Sequence, residues 1–123
     1  MKRCFSWIVA MVLCAFGSVA WGWFEPAEPN EIAFSPTDAR FVRLLIPESQ
    51  GGEPCIDELE IYGPEGSANL ALASAGAKAS ASSVLPGYAF HRVAHLNDGL
   101  YGNSHSWIAA SAWDEWVQIE LPL

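Results

Sequence analysis

Three short segments of the chain alternate apolar and polar residues, and this period of two most strongly constrains the fold. The segments are residues 40–46, 55–62 and 116–121. Their apolar positions are Val42, Leu44, Ile46, Leu59, Ile61, Val117, Ile119 and Leu121. A β-strand turns successive side chains to opposite faces, so alternation indicates strands that are buried on one face. We therefore predict an all-β fold.

Residues 1–22 have the composition of a secretory signal peptide. Lys2 and Arg3 form a positive n-region, residues 7–16 an apolar h-region, and small residues between 18 and 22 a cleavage site. The apolar stretch is short for a transmembrane helix. We expect a secreted or periplasmic protein with no membrane span in the mature chain.

The number and positions of the cysteines limit the disulfides that the chain can form. Cys4 and Cys14 lie within the predicted leader, and Cys55 is the one cysteine that follows it. We therefore predict that the mature chain has no internal disulfide.

The mature chain is strongly acidic. Removing the leader leaves four basic residues and fourteen acidic ones, so the net charge is 4 − 14 = −10. Nucleic-acid binding depends on lysine and arginine displacing counterions from phosphates, so this balance argues against nucleic acid or anionic lipid as partner. Neutral ligands and divalent cations are compatible with it.

Turn residues and prolines divide the mature chain. Residues 23–38 hold three prolines with little periodicity and indicate an extended lead-in. Residues 39–123 are predicted to form the β domain. Within it, residues 69–83 are rich in alanine and serine, and we predict an extended segment at a sheet edge.

Residues 85–107 combine turn residues and chemistry more densely than any other stretch. Apolar residues recur at helical spacing between 90 and 96, which predicts a short helix. Residues 97–106, NDGLYGNSHS, then supply side-chain oxygens and two glycines. Calcium favours sharply turned, oxygen-rich loops because six to eight oxygens must converge on it.

Several of these segments resemble one family. NLALASAGAKASASS at 69–83, HLNDGLYGNSHSW at 95–107 and EWVQIELP at 115–122 resemble the opening half of a discoidin-like domain. This is the coagulation factor V/VIII C-type, or galactose-binding-like, fold. Residues 39–63, with ARFVRLLI and CIDELEIYG, resemble its two closing strands, while 69–123 resemble its opening half. The resemblance implies a jelly-roll sandwich that is permuted or partial.

The resemblance implies a structural calcium site. Its ligands would include the carboxylates of Asp98 and Glu58, with further oxygens from the loop. The full set is Asp98, Glu58, His95, Leu100, Asn103 and Ser104, of which His95 and Leu100 would contribute backbone carbonyls. The alternative is that Asn97-Asp98-Gly99 is a tight turn without a metal.

The histidines allow another interpretation. His91 and His95 are four residues apart, a spacing that puts both on one helical face, and His105 could be a third zinc ligand. The sequence has no HExxH motif or cysteine pair to support zinc.

Aromatic residues near this stretch suggest carbohydrate binding, since a pyranose needs an aromatic platform and a few fixed polar groups. The candidate ligand-binding residues are Tyr88, Phe90, His91, Arg92, Tyr101 and Trp113. Core packing is the alternative for each aromatic, and we expect Trp107 and Trp116 to be core residues.

Catalytic motifs are absent from the sequence: it has no GxSxG elbow, P-loop, dinucleotide fingerprint or CxxC. We predict that the protein is not an enzyme. The expected function is a secreted module that binds carbohydrate or an extracellular glycoprotein around a structural calcium site. The alternative is a structural or interaction element, the N-terminal fragment of a larger secreted multidomain protein, without sugar affinity.

Overall fold

The structure, a computed structural model, describes residues 7–14, 19–25, 28–66 and 68–122. Strands make up 30% of the chain and helix 8%, and the strand pairs are antiparallel. The prediction of an all-β fold is confirmed at this level.

The described strands form two sheets. The strands are β1 (Trp7–Cys14), β2 (Val19–Phe24), β3 (Phe41–Gln50), β4 (Cys55–Ile56), β5 (Lys78–Ala81), β6 (Trp107–Ile108) and β7 (Trp113–Glu120). One sheet has the order β2-β1-β3-β7-β5, and the other pairs β4 with β6. Two 3-10 helices, Ala73–Ala75 and Val93–Asn97, lie between strands.

Strands β3 and β7 provide the central face of the core. Leu44 pairs with Val117 and Val42 with Ile119, and all four side chains are buried. The next residue on the same face of β3, Ile46, is completely buried. The period of two therefore predicted the inward positions of both strands correctly, because each alternating apolar residue removes its surface from water on the same side.

The two-stranded sheet covers this face. Trp107 in β6 is completely buried in the same cluster as Leu44 and Val117. Its Nε1 donates a hydrogen bond to the carbonyl oxygen of Ser83 at 2.8 Å. Trp107 is a core residue as expected, whereas Trp116 lies on the opposite face of β7, only partly buried, with the Arg43 guanidinium 4.1 Å from its ring centroid.

The predicted strand at residues 55–62 is much shorter than expected. Only Cys55–Ile56 form a strand, and Tyr62 makes an isolated bridge to Asn69. The intervening backbone bonds elsewhere, since Leu59 N donates to Leu96 O and Ile61 N to the Asn69 side chain. The alternation still separates the faces, because Leu59 and Ile61 pack against the core.

The predicted helix before the loop is a 3-10 helix rather than an α-helix. It spans Val93–Asn97, and its only buried apolar residue is Leu96. Residues 69–83 contain the short 3-10 helix Ala73–Ala75 and then β5, which lies at the edge of the sheet as predicted.

The segment predicted to be a leader contributes strands to the sheet. β1 lies between β2 and β3 and pairs with β3 from Trp7↔Gln50 to Cys14↔Val42. Residues 1–6 and 15–18 lie outside the described residues, and residue 18 of the predicted cleavage site at 18–22 is among them.

The disulfide prediction differs from the structure. Cys55 is disulfide-bonded. The other cysteines of the sequence, Cys4 and Cys14, both belong to the segment predicted to be removed, so the bond is a property of the uncleaved chain.

Neither 3-10 helix approaches the length needed to cross a bilayer, and a search of the described residues found no helix that could.

Candidate functional site

The loop 97–106 is held in place by an acidic segment that follows β4. Gly99 N lies 3.2 Å from both carboxylate oxygens of Glu58, and Gly102 N donates to Asp57 Oδ2 at 2.9 Å. The Tyr101 hydroxyl donates to Glu60. Three carboxylates from one short segment therefore accept hydrogen bonds from three positions of the loop, which gives the loop a defined position without regular secondary structure.

Asp98 is the centre of a histidine cluster. His95 Nδ1 lies 2.7 Å from Asp98 Oδ2, and His105 Nδ1 lies 3.5 Å from the same oxygen. The other oxygen, Oδ1, accepts a hydrogen bond from Leu100 N at 2.8 Å. The three side chains each offer a ligand atom within 4.8 Å of the other two.

The electrostatic state of Asp98 follows from these contacts. Partial burial acts to raise the pKa of Asp98, but the hydrogen bonds from His95 and Leu100, together with the nearby His105 imidazole, outweigh it. The pKa of Asp98 is therefore lowered, and this carboxylate is an anion in neutral solution.

Glu58 is shifted in the opposite direction. Its pKa is raised to about 7, mainly by desolvation and also by the negative charges of Asp98 and Glu60, against the lowering effect of the hydrogen bond from Gly99. The site therefore places two carboxylates close enough to repel each other, a condition that a bound cation would relieve.

The structure brings some of the predicted calcium ligands close together and leaves others apart. Glu58 reaches the loop next to Asp98, as the resemblance implied. Asn103 is partly buried, and neither atom of its side-chain amide has a hydrogen-bond partner among the described residues. Ser104 is exposed, and Leu100 donates its N–H to Asp98. His95 was predicted to contribute a carbonyl, but its imidazole is what contacts Asp98.

The alternative zinc set of His91, His95 and His105 is brought together only in part. His91 precedes the 3-10 helix Val93–Asn97, so His91 and His95 do not share the face of a regular helix. His91 is completely buried, and its Nδ1 lies 3.0 Å from Ser106 Oγ. The third member of the observed cluster is Asp98 instead.

The segment that precedes the 3-10 helix Val93–Asn97 lines an open surface cavity of about 500 Å³. It is lined by residues 84–89, 91 and 92, which include the predicted ligand residues Tyr88, His91 and Arg92. Phe90 is adjacent, 41% exposed, and packs edge-on to Tyr88 with ring centroids 6.3 Å apart. Three of the six predicted ligand residues thus line the cavity, and Phe90 packs beside them.

The other two predicted ligand residues are not among those that line this cavity. Tyr101 belongs to the acidic side of the loop, where its bond to Glu60 raises the pKa of its hydroxyl to about 12. Trp113 begins β7 opposite Glu48 and is 60% exposed. Trp113 lies in β7, whereas Tyr88 lies in the segment that lines the cavity.

Three residues important to the loop were not among the predicted site residues. Asp57 and Glu60 anchor the loop, and buried Asn97 donates through Nδ2 to Ala71 O at 2.8 Å. The signal that could have found the first two is the spacing of acidic residues in IDELE, which follows a strand directly.

Comparisons with protein-family models, with curated proteins and with solved structures found no match for this chain.

Proposed function

We propose that the protein is an extracellular ligand-binding module without catalytic activity of its own, and that its ligand is a carbohydrate or the glycan of a glycoprotein. The observation that carries the proposal is the cavity at residues 84–92, which Tyr88 and Arg92 line and beside which Phe90 packs against Tyr88. This combination of aromatic faces and a cationic hydrogen-bond donor suits a neutral sugar, whose ring has an apolar face and a polar rim.

The charge of the chain agrees with a neutral ligand. The sequence as a whole carries a formal net charge of −8, so an anionic ligand would meet a repulsive field over most of the surface. Arg92 is exposed at the cavity and offers five donors in a fixed plane, which can pair with adjacent sugar hydroxyls.

The fold is part of the same proposal. A five-stranded antiparallel sheet faces a two-stranded sheet across one core, which is consistent with a partial discoidin-like jelly roll. In such a sandwich, loops at one end present the ligand surface, and the loop 97–106 and the turn at 86–90 are the chemically rich loops of this chain.

A bound divalent cation that orders the loop 97–106 completes the proposal, with calcium as the ion expected from the sequence. The support is the approach of Glu58 to the Asp98 turn and the raised pKa of Glu58, whose main cause is desolvation, with a further contribution from the charges of Asp98 and Glu60.

A glycan array tests the binding proposal. We expect the protein to retain a subset of glycans, and Phe90→Ala to lose most of that retention. Phe41→Ala is the matched control, because Phe41 is a phenylalanine of similar exposure, 38% against 41%, on strand β3. Repeating the array with a chelator shows whether retention depends on the cation. Uniform silence across glycans would overturn the proposal and favour a structural or interaction element.

A further inference from the structure

The cluster at the loop 97–106 contains imidazole nitrogens, which are not the ligands that calcium prefers. Calcium takes oxygen ligands, whereas two of the three side chains that converge here, His95 and His105, are imidazoles. Imidazole with one carboxylate is a donor set typical of zinc and of the neighbouring first-row transition metals.

We propose that His95, Asp98 and His105 bind a divalent transition-metal ion of the zinc class. The proposal rests on the cation part of the proposed function and names a different ion for it.

The distances suit such an ion with little movement. Bonds of 2.0–2.2 Å in a tetrahedral site place neighbouring donor atoms roughly 3.3 Å apart. The Asp98 Oδ2 to His105 Nδ1 distance is 3.5 Å, and the Asp98 Oδ2 to His95 Nδ1 distance is 2.7 Å, the length of a hydrogen bond. The ion enters by widening the shorter contact and drawing in His105, whose side chain is 38% exposed and has room to move.

Unpartnered nitrogens are an independent observation in favour of a ligand. The His95 side chain is only 7% exposed and its Nε2 has no hydrogen-bond partner among the described residues. His105 Nδ1 is likewise buried without a hydrogen-bond partner in the described part of the chain, although it faces Asp98. Nε2 lies on the opposite side of the His95 ring from the Nδ1 that contacts Asp98, so the nitrogen that indicates a missing partner within the cluster is His105 Nδ1, since buried polar atoms are normally satisfied.

The surrounding structure positions the ligands. Asp98 follows the 3-10 helix that carries His95, and Asp98 Oδ1 is occupied by Leu100 N, which leaves Oδ2 directed at both imidazoles. The Glu58 carboxylate accepts a hydrogen bond from Gly99 N, which holds the turn in place, and Glu58 adds negative charge near the ion. Three protein ligands leave the fourth position of a tetrahedral ion for water or for a ligand atom.

The experiment is a metal titration of the tag-free protein, because a polyhistidine tag would itself bind zinc. Zinc is titrated calorimetrically after treatment with a chelator, and cobalt is added separately to read the visible spectrum of a four-coordinate site. We expect one zinc ion per chain. Asp98→Asn and His105→Gln should each weaken zinc binding at least tenfold, while Asp38→Asn, an exposed carboxylate away from the cluster, should leave it unchanged.

A calcium titration runs in parallel and separates the two ions. Absence of zinc binding, or zinc binding that His105→Gln does not alter, overturns the proposal. Calcium binding that is tighter than zinc binding and indifferent to His105→Gln overturns it too, while upholding the cation part of the proposed function. Circular dichroism of each variant without metal establishes that a loss of binding is not a loss of fold.

Discussion

The carboxylate of Glu58 accepts the backbone N–H of Gly99, 41 residues further along the chain, with both of its oxygens 3.2 Å from the nitrogen. This contact fastens the segment after β4 to the turn that presents Asp98. Because this contact lies next to Asp98, we expect Glu58, Asp98 and Gly99 to affect the stability of the loop, its dependence on pH and its binding of a cation.

Gly99 is the position where the loop depends most on glycine. Its φ is +79°, and an added Cβ would lie 3.3 Å from Leu72 Cδ2. We expect Gly99→Ala to lower the free energy of unfolding by about 1–3 kcal/mol, because it combines backbone strain with a close contact. Gly66→Ala is the control, since its φ is +68° with open space around it. Urea unfolding of both variants should show the larger loss at Gly99, and equal losses would contradict the contact with Leu72.

Glu58 should make the metal-free protein less stable as the pH rises. Its pKa is raised from 4.5 to about 7 by desolvation and by the charges of Asp98 and Glu60. The folded chain therefore keeps a proton that the unfolded chain releases, and stability is lost between about pH 4.5 and pH 7. The lowered pKa of Asp98 acts in the opposite direction, but only at more acidic pH.

Urea unfolding with a chelator at several pH values measures this effect. Glu58→Gln keeps an oxygen acceptor for Gly99 and removes the titration, so the fall in stability between pH 4.5 and 7 should become smaller than in the wild type. An identical pH profile for wild type and variant would show that Glu58 titrates normally.

Trp107 should carry far more stability than Trp113. Trp107 is completely buried and donates to Ser83 O, whereas Trp113 is 60% exposed. We expect Trp107→Ala to cost about 3–5 kcal/mol, since it leaves a cavity and an unpaired carbonyl. Trp113→Ala should change stability by less than about 0.5 kcal/mol. Thermal and urea unfolding compare them, and similar losses would place Trp113 in the core.

Removal of residues 1–22 should expose an edge of the sheet. β1 pairs with β3 along most of its length, so a chain that starts at Trp23 would leave the backbone groups of β3 open on that side. Open strand edges promote association. We expect this truncated chain to be less stable than the full chain or to dimerise. Light scattering of both chains detects the dimer. A monomer with unchanged stability would show that β1 contributes nothing to the sheet.

Protein sequencing of the exported product complements that comparison. It would establish whether β1 is retained, and with it whether Cys55 keeps a disulfide partner.

Prediction from the sequence succeeded where neighbouring residues alone determine the outcome. The inward faces of β3 and β7 follow from alternation. Successive side chains of a strand point to opposite faces, so the apolar residues of the strand itself identify the buried face. It failed at residues 57–61, whose alternating pattern suggested a continued strand. There the backbone donors found partners in Leu96 and Asn69 instead of a neighbouring strand.

The sequence by itself determined an acidic, strand-rich chain with an oxygen-rich turn at Asp98. Only the tertiary structure decided that the imidazoles of His95 and His105 meet at Asp98 and that His91 turns away to Ser106. The reason is geometric. The three-residue turn of the 3-10 helix brings His95 next to Asp98, three positions later. The irregular loop, held by long-range bonds to Asp57, Glu58 and Glu60, brings His105 to the same carboxylate.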